Sequence, residues 1–254
     1  MGRVNAAARN IIFGYIGNLT TQLLGFVLRT IFIQHLGQTL NGVNALYTGI
    51  LSVLSMAELG IGTALNYSLY KPVIHKDYEK IKSYMLLYKK AYRIIGFVVA
   101  GIGLAIVPFL PYLVKQPQGV TLRDLTLYYL IFLFNTVSSY FVAYKYSLVN
   151  AEQKNYIQTN IITITKMITV SLQIIVILAT GNFYAYLLTA AAVELLQKIF
   201  VSRYLNNMYP YLKEKDIKPL TKEEVGEVVK KTKALVLHKV GDVARLQTDA
   251  MIIS

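Results

Sequence analysis

The chain contains long hydrophobic stretches, and each is long enough to cross a lipid bilayer as a helix. About 20 mostly apolar residues span the hydrocarbon core, where every backbone polar group must be bonded internally. Only 15% of the residues are charged and 55% are hydrophobic, whereas a soluble domain has about 25% charged residues. The sequence therefore predicts an all-α fold, a polytopic membrane helical bundle with about six complete transmembrane helices plus the start of a seventh. The six predicted spans are Asn10–Gln34, Ala45–Leu69, Tyr92–Val114, Leu125–Leu148, Tyr156–Thr180 and Phe183–Arg203, and the seventh begins near Glu223.

Basic residues alternate between the connections of these spans. The segment 71–93 holds seven Lys or Arg, whereas the connections 37–43 and 181–182 hold none. Because cytoplasmic loops carry the excess of Lys and Arg, this pattern predicts a cytoplasmic N-terminus. The net charge of +13 arises mostly from these connections. The charge is therefore explained by membrane topology, and we expect no nucleic-acid partner.

The first span carries a polar stripe. Asn18, Gln22, Gly25 and Arg29 recur at helical spacing and share one face within an arc of roughly 60°. An Arg in hydrocarbon costs at least about 2.5 kcal/mol, so such residues normally line a protein interior or a water-filled cavity. A cationic face inside a membrane bundle indicates a pathway for an anionic substrate, and hence a transporter.

Polar stripes also occur on spans two, four and five. Hydroxyl and small residues in such stripes have a simpler explanation, because membrane helices pack through them. The ionisable members Arg29, Glu58 and Lys166 are stronger functional candidates, although Arg29 and Glu58 could instead form a buried ion pair. Two further lysines have structural explanations: Lys198 an intrahelical pair with Glu194, and Lys145 snorkelling to lipid phosphates. The remaining stripe residues are Thr48, Ser52, Ser55, Gly62, Asn66, Tyr128, Asn135, Ser139, Tyr146, Asn155, Thr159, Thr163 and Gln173.

Catalytic and metal-binding patterns are missing from the sequence. There is no Cys, and the three His residues show no ligand spacing. No catalytic dyad or triad is evident, so we expect no enzyme, no cofactor and no metal. The segment Thr221-Lys-Glu-Glu224 fits a capping box and predicts a helix that starts there.

Three runs of sequence carry a resemblance to a known family. They are Leu51-Ser-Val-Leu-Ser-Met-Ala-Glu-Leu-Gly-Ile-Gly-Thr-Ala-Leu65, Tyr67-Ser-Leu-Tyr-Lys-Pro72 and Tyr88-Lys-Lys-Ala-Tyr-Arg-Ile-Ile-Gly96. These runs resemble the bacterial polysaccharide repeat-unit flippases, the Wzx-type translocases of O-antigen, capsule and exopolysaccharide units. That family belongs to the multidrug/oligosaccharidyl-lipid/polysaccharide exporter superfamily.

The resemblance implies a two-lobe exporter in the bacterial cytoplasmic membrane. It implies alternating access through a cationic cavity and a lipid-linked oligosaccharide, undecaprenyl-diphosphate-linked, as the substrate. Arg29 and Lys166 would then meet the diphosphate, and Glu58 or Asp249 would be candidates for ion coupling or an ion pair. The residues expected to hydrogen-bond sugar hydroxyls are Asn18, Gln22, Asn66 and Asn135. A polysaccharide polymerase and a chain-length regulator are the expected protein partners.

The same resemblance divides the chain into two parts. Residues 1–222 would form the first transmembrane lobe, and residues 223–254 the amphipathic entry and beginning of span seven, so the chain is expected to be a fragment. One alternative is a drug or cation antiporter of the same superfamily, which Arg29 in span one argues against. Others are a non-transporting membrane assembly partner in envelope biosynthesis, and a membrane enzyme of lipid-linked sugars.

Overall fold

The computed structural model confirms an all-α fold. It describes residues 3–55, 58–114, 117, 119–214 and 216–253, and within these the side chains of residues 10–55, 58, 61–114, 117, 119–214 and 216–237. Short 3-10 turns at Val107–Phe109 and Pro210–Lys213 supplement the α-helices. The α-helices are α1 (Arg3–Leu36), α2 (Gln38–Ser55), α3 (Leu59–Ile74), α4 (Tyr78–Ile106), α5 (Leu110–Leu113), α6 (Leu122–Ala151), α7 (Asn155–Thr180), α8 (Phe183–Met208) and α9 (Lys222–Ile253).

Five helical segments of the described chain are long and apolar enough to cross a membrane. They are Asn10–Leu36, Tyr78–Leu113, Leu122–Ala151, Asn155–Thr180 and Phe183–Met208. These segments match the first, third, fourth, fifth and sixth predicted spans. The helix α9 is not among them, because charged residues recur along much of its length.

The prediction of a continuous second span is wrong. Within the predicted range Ala45–Leu69, α2 ends at Ser55 and α3 begins at Leu59, with Glu58 in a 3-10 conformation between them. The Ser55 hydroxyl donates to the Leu51 carbonyl at 2.8 Å, a back-bond that tends to bend helices. Two glycines, Gly60 and Gly62, follow within seven residues, and glycine lowers helix propensity.

The third span starts earlier than predicted. The helix α4 begins at Tyr78, where the Asp77 side chain caps it by accepting from the backbone N–H of Lys80 at 3.0 Å. The apolar residues Ile81, Met85 and Tyr88, which precede the predicted start at Tyr92, are buried inside the protein. The lysines of this helical segment lower its mean hydropathy and hide the helix from a span count.

The connections fall into two groups at opposite ends of the bundle. At the basic end, Asn10 of α1 bonds the carbonyl of Gln153 and the N–H of Tyr156, each at 2.9 Å, beside the connection from α6 to α7. Lys82 of α4 reaches Glu214, beyond α8, at 2.7 Å. We call the opposite end the neutral end. There, the hydroxyl of Tyr184 donates to Asp124 at 2.7 Å, which joins the starts of α6 and α8.

Close helix contacts form the core between these ends. The helix α1 packs along α7, α4 packs along α6, and α8 contacts both α6 and α7. Two clusters of buried side chains result, one around Phe32, Tyr47 and Tyr129 toward the neutral end, the other around Tyr88 and Tyr140 toward the basic end. The helix α9 packs against α3.

Candidate functional site

A groove between α1, α2 and α7 brings Arg29 and Lys166 together. Its volume is about 570 Å³, within the range usual for small-molecule sites. We call this the α1–α2–α7 groove. Its lining residues are Gly25, Leu28, Arg29 and Phe32 of α1; Asn41, Asn44, Ala45, Thr48, Gly49 and Ser52 of α2; Lys166 of α7; and Tyr186 of α8.

The helical position of Arg29 follows from its neighbours. Leu28 and Phe32 are buried in the core, and Phe32 makes edge contacts with Phe183 and Tyr186 at centroid distances of 5.6 and 5.0 Å. Those anchors fix the rotation of α1 and leave Arg29 exposed at the groove. Gly25 lies one turn away on the same side, with open space where a side chain would stand.

Lys166 lies near the middle of α7 and is half-buried. Besides the α1–α2–α7 groove, it lines a cavity of about 340 Å³ between α6, α7 and α8, whose wall includes Glu194. Lys166 therefore stands where the two cavities approach each other. Among described residues, no carboxylate lies within 4.0 Å of its ammonium.

The electrostatic character of the groove is cationic. It has two basic side chains, and no described residue of its lining is acidic. The alternative of an Arg29–Glu58 ion pair is wrong for the described structure, because Glu58 lies instead beside the hydroxyl of Tyr92 on α4. Hydroxyl and amide groups complete the lining. An anion with hydrogen-bonding substituents is the ligand that such a groove can hold.

The other predicted contact residues lie outside this lining. Asn18 and Gln22 are exposed on α1, on the same helix face as Arg29 but nearer the basic end. Asn66 lies on α3 and its side-chain oxygen is buried, with no hydrogen-bond partner among the described residues. Asp249 belongs to the part of α9 whose side chains lie outside the described residues.

Asn135 accepts hydrogen bonds from Lys198, a buried lysine for which the sequence predicts a pair with Glu194. The Lys198 ammonium donates to the Asn135 side-chain oxygen at 2.7 Å, to its backbone carbonyl at 2.9 Å and to Ser138 at 2.9 Å. The predicted Glu194–Lys198 pair is confirmed at 3.8 Å, but the shorter contacts join α8 to α6. The spacing along α8 predicts the pair within that helix, but it does not predict which residues of α6 lie beside Lys198.

Lys145 is a second buried lysine. Snorkelling to lipid phosphates is wrong for it, since it is 9% exposed and its ammonium donates to Ser202 Oγ and Asn206 Oδ1, each at 2.8 Å. The predicted α7 stripe also divides. Thr159 and Thr163 pack against Gly17 of α1, and Gln173 donates to the Tyr186 carbonyl at 3.3 Å. Lys166 is the member of that stripe that lines the groove.

Comparison with known proteins identifies the fold. No protein-family model matches the chain, and no curated protein matches it. Two solved structures match it, each with 15% sequence identity over 92% of this chain and 52% of theirs. One, with a TM-score of 0.65, is a MOP superfamily transporter from Pyrococcus furiosus, reported with a binding pocket of reverse polarity that suggests a different function. The other, with a TM-score of 0.64, is a multidrug resistance MATE family transporter of the MOP superfamily in an outward-facing conformation.

The chain spans about half the length of these structures, at 52%. Its helix order and packing thus correspond to part of a larger helical membrane protein. The described chain has the fold of roughly half of a MOP superfamily transporter.

Proposed function

We propose that this chain is the first lobe of a membrane transporter that flips an undecaprenyl-diphosphate-linked oligosaccharide across the bacterial cytoplasmic membrane. The observation that carries the proposal is the α1–α2–α7 groove, where Arg29 and Lys166 share one lining without a described acidic residue. The fold of the MOP superfamily supports a transport role. The resemblance of the runs 51–65, 67–72 and 88–96 to polysaccharide flippases supports the substrate.

In the proposed mechanism, the groove forms one wall of the cavity that alternates between the two sides of the membrane. Arg29 donates its planar N–H groups to diphosphate oxygens, a geometry that suits phosphate better than a single ammonium. Lys166 adds a point charge nearer the bilayer centre. Thr48, Ser52 and Asn44 offer hydroxyl and amide groups to the sugar next to the diphosphate.

Cation exchange is the competing proposal within the same fold. A cavity for cations would be expected to offer carboxylates, and the described groove lining has two cationic side chains instead. The reported link between reverse polarity of a binding pocket and different function in the Pyrococcus furiosus protein supports the view that pocket charge distinguishes substrates within this fold. The test should therefore distinguish transport of an anionic substrate from transport of a cationic one.

Complementation of a strain that lacks its polysaccharide flippase provides the test. The complete gene and, separately, the 254-residue chain are expressed, and surface polymer and cationic dye efflux are both measured. Polymer restored by the complete gene supports the proposal. Dye efflux without polymer would establish the antiporter alternative, and polymer from the short chain would show that it assembles into a transporter by itself.

Substitution of Arg29 in the complete gene then tests the groove. Loss of one charged hydrogen-bonding group costs about 1.5–3 kcal/mol, so Arg29→Ala is expected to reduce export by about tenfold or more. Arg29→Lys should retain part of it, because the charge remains. The matched control is Lys90→Gln, which removes an exposed cation outside the groove. Normal polymer from Arg29→Ala, at equal amounts of membrane-inserted protein, would refute the role of the groove.

A further inference from the structure

A second cationic cleft lies on a different side of the lobe, at the basic end of α4, α6 and α8. It has a volume of about 630 Å³, and its lining has five basic side chains and one carboxylate, Glu214. We call it the α4–α6–α8 cleft. It shares no lining residue with the α1–α2–α7 groove, so it is separate from the site of the proposed transport function. Its basic residues are Lys82, Lys89, Arg93, Lys145 and Lys213.

The charges of this cleft are incompletely balanced. Lys82 pairs with Glu79 at 2.5 Å and Glu214 at 2.7 Å. In contrast, the buried Lys145 ammonium contacts neutral oxygens of Ser202 and Asn206. Lys89 and Arg93 have no carboxylate within 4.0 Å among the described residues. Burial of a cation without a counter-charge is costly in a membrane protein, and a bound anion offsets that cost.

An apolar groove continues from this cleft toward the neutral end. It also measures about 630 Å³ and lies between the same three helices, with Phe141 and Ser202 shared by the two cavities. Its walls include Leu104, Phe134 and Ile199, which are 54%, 53% and 40% exposed. The groove is therefore open along its side and presents hydrocarbon-like surface.

The dimensions of the combined site match one lipid leaflet. From Arg93 in the cleft to Leu104 in the groove, α4 advances eleven residues, or about 16 Å at the rise of an α-helix. Half of a hydrocarbon core of about 30 Å is about 15 Å. A cationic cleft at one end and an apolar channel one leaflet long are complementary to a molecule with an anionic headgroup and an acyl chain.

We propose that the α4–α6–α8 cleft and its groove bind an anionic phospholipid. The phosphate lies between Lys89 and Arg93, next to the charge of the buried Lys145 but without displacing that lysine's bonds to α8, and one acyl chain lies along Leu104, Phe134 and Ile199. With the predicted cytoplasmic N-terminus, this lipid belongs to the inner leaflet. The lipid braces α8 against α4 and α6, at the end of the lobe where the segment after α8 contacts Lys82.

Native mass spectrometry of the complete gene product tests this site. The detergent-solubilised protein is titrated with dioleoylphosphatidylglycerol, with dioleoylphosphatidylcholine and with inorganic phosphate. We expect phosphatidylglycerol to bind most tightly. Lys89→Gln/Arg93→Gln should weaken it by roughly 30-fold, from two basic groups at a membrane surface, whereas Lys90→Gln/Lys230→Gln, which removes two exposed cations outside the cleft, should not.

Two further variants separate headgroup and chain. Ala100→Phe fills the apolar groove and should weaken lipid binding, whereas Val98→Phe, on α4 outside that lining, should not. Lys89→Arg/Arg93→Lys keeps both charges and should retain binding, which guards against loss through misfolding. Equal binding of the two lipids would overturn the proposal in favour of non-specific surface lipid. Phosphate binding that matches the lipid, with no effect of Ala100→Phe, would reduce the site to a simple anion site and likewise overturn it.

Discussion

The close contact between α1 and α7 can be tested at a single glycine. A methyl group added at Gly17 would lie 2.6 Å from Thr163 Oγ1 and 2.9 Å from Thr159 Cγ2. Atoms in real structures do not approach a Cβ so closely, so Gly17→Ala forces the helices apart or shifts both threonines. Gly14, one turn earlier on α1, has nothing within 4 Å of the same methyl group and provides the matched control.

The two substitutions share one contribution to the free energy of unfolding and differ in a second contribution. Replacement of Gly by Ala inside a helix stabilises by roughly 0.5–1 kcal/mol through the unfolded chain, and this applies to both positions. Overpacking costs about 1–3 kcal/mol, and it applies only to Gly17→Ala. The difference between the two variants is therefore about 1–3 kcal/mol. At about 2–4 °C per kcal/mol for a chain of this size, the unfolding midpoints should differ by about 2–12 °C.

Thermal unfolding in one detergent, followed by loss of the monodisperse species, measures this difference. Gly14→Ala should be as stable as the parent or more so, and Gly17→Ala less stable. Adding Thr163→Ala removes the nearest clashing atom, so a double-mutant cycle should show a favourable interaction energy of about 0.5–3 kcal/mol. Equal midpoints for Gly17→Ala and Gly14→Ala would refute the packing of Thr159 and Thr163 against α1, and these threonines would then be free to line a cavity.

Three further predictions concern α9 and the neutral-end core. Thr221→Ala removes the cap bond to the Glu224 N–H at 3.3 Å, so it should cost about 0.5–2 kcal/mol, seen as faster hydrogen exchange in the first turn of α9. The Glu224 carboxylate accepts hydrogen bonds from Lys80 and from the Thr221 N–H, and these bonds, the first above all, hold its pKa below the ordinary 4.5. The attachment of α9 to α4 should therefore be constant above about pH 4.5 and weaken as the pH falls through the lowered pKa. Spin labels on cysteines introduced at His75, just before α4, and at Glu227 of α9 report the distance between these helices, and a pH response retained in Glu224→Gln would exclude this cause. Tyr129→Phe removes the hydroxyl that donates to the Gly103 carbonyl at 3.0 Å and should destabilise by about 0.6–1.7 kcal/mol; an unchanged unfolding midpoint would show that this bond contributes nothing net.

Hydropathy predicts most of the fold because a membrane restricts the choice of structure. Five of six predicted spans correspond to apolar helices, and the capping box at Thr221 and Glu224 is confirmed by bonds of 3.0 and 3.3 Å. The break between α2 and α3 was missed. A hydropathy window of about 20 residues averages over Gly60 and Gly62, whereas their low helix propensity acts locally.

Polar stripes are ambiguous for a different reason. Thr163 and Thr48 both recur at helical spacing, yet Thr163 packs against Gly17 and Thr48 lines the α1–α2–α7 groove. Hydroxyl side chains satisfy themselves on their own helix, as Thr48 does through the Asn44 carbonyl at 2.8 Å, so either environment suits them. Spacing on one helix contains no information about the neighbouring helix, and the assignment of such residues needs the packing itself.

Buried lysines separate into two kinds once their partners are known. The ammonium groups of Lys145 and Lys198 each have three donor hydrogens, and each makes three hydrogen bonds of 2.7–3.3 Å to oxygens of a neighbouring helix. Such a group is structurally saturated. Binding of a substrate to either ammonium would require breaking contacts that hold α6 and α8 together.

Arg29 and Lys166 line an open groove and lack a carboxylate within 4.0 Å in the described structure. The cost of their charge is thus offset by water in the empty cavity or by an anion in the filled one. Depth in a span makes a lysine or arginine a functional candidate, and unsatisfied donors facing a cavity distinguish the binding residue from the structural one.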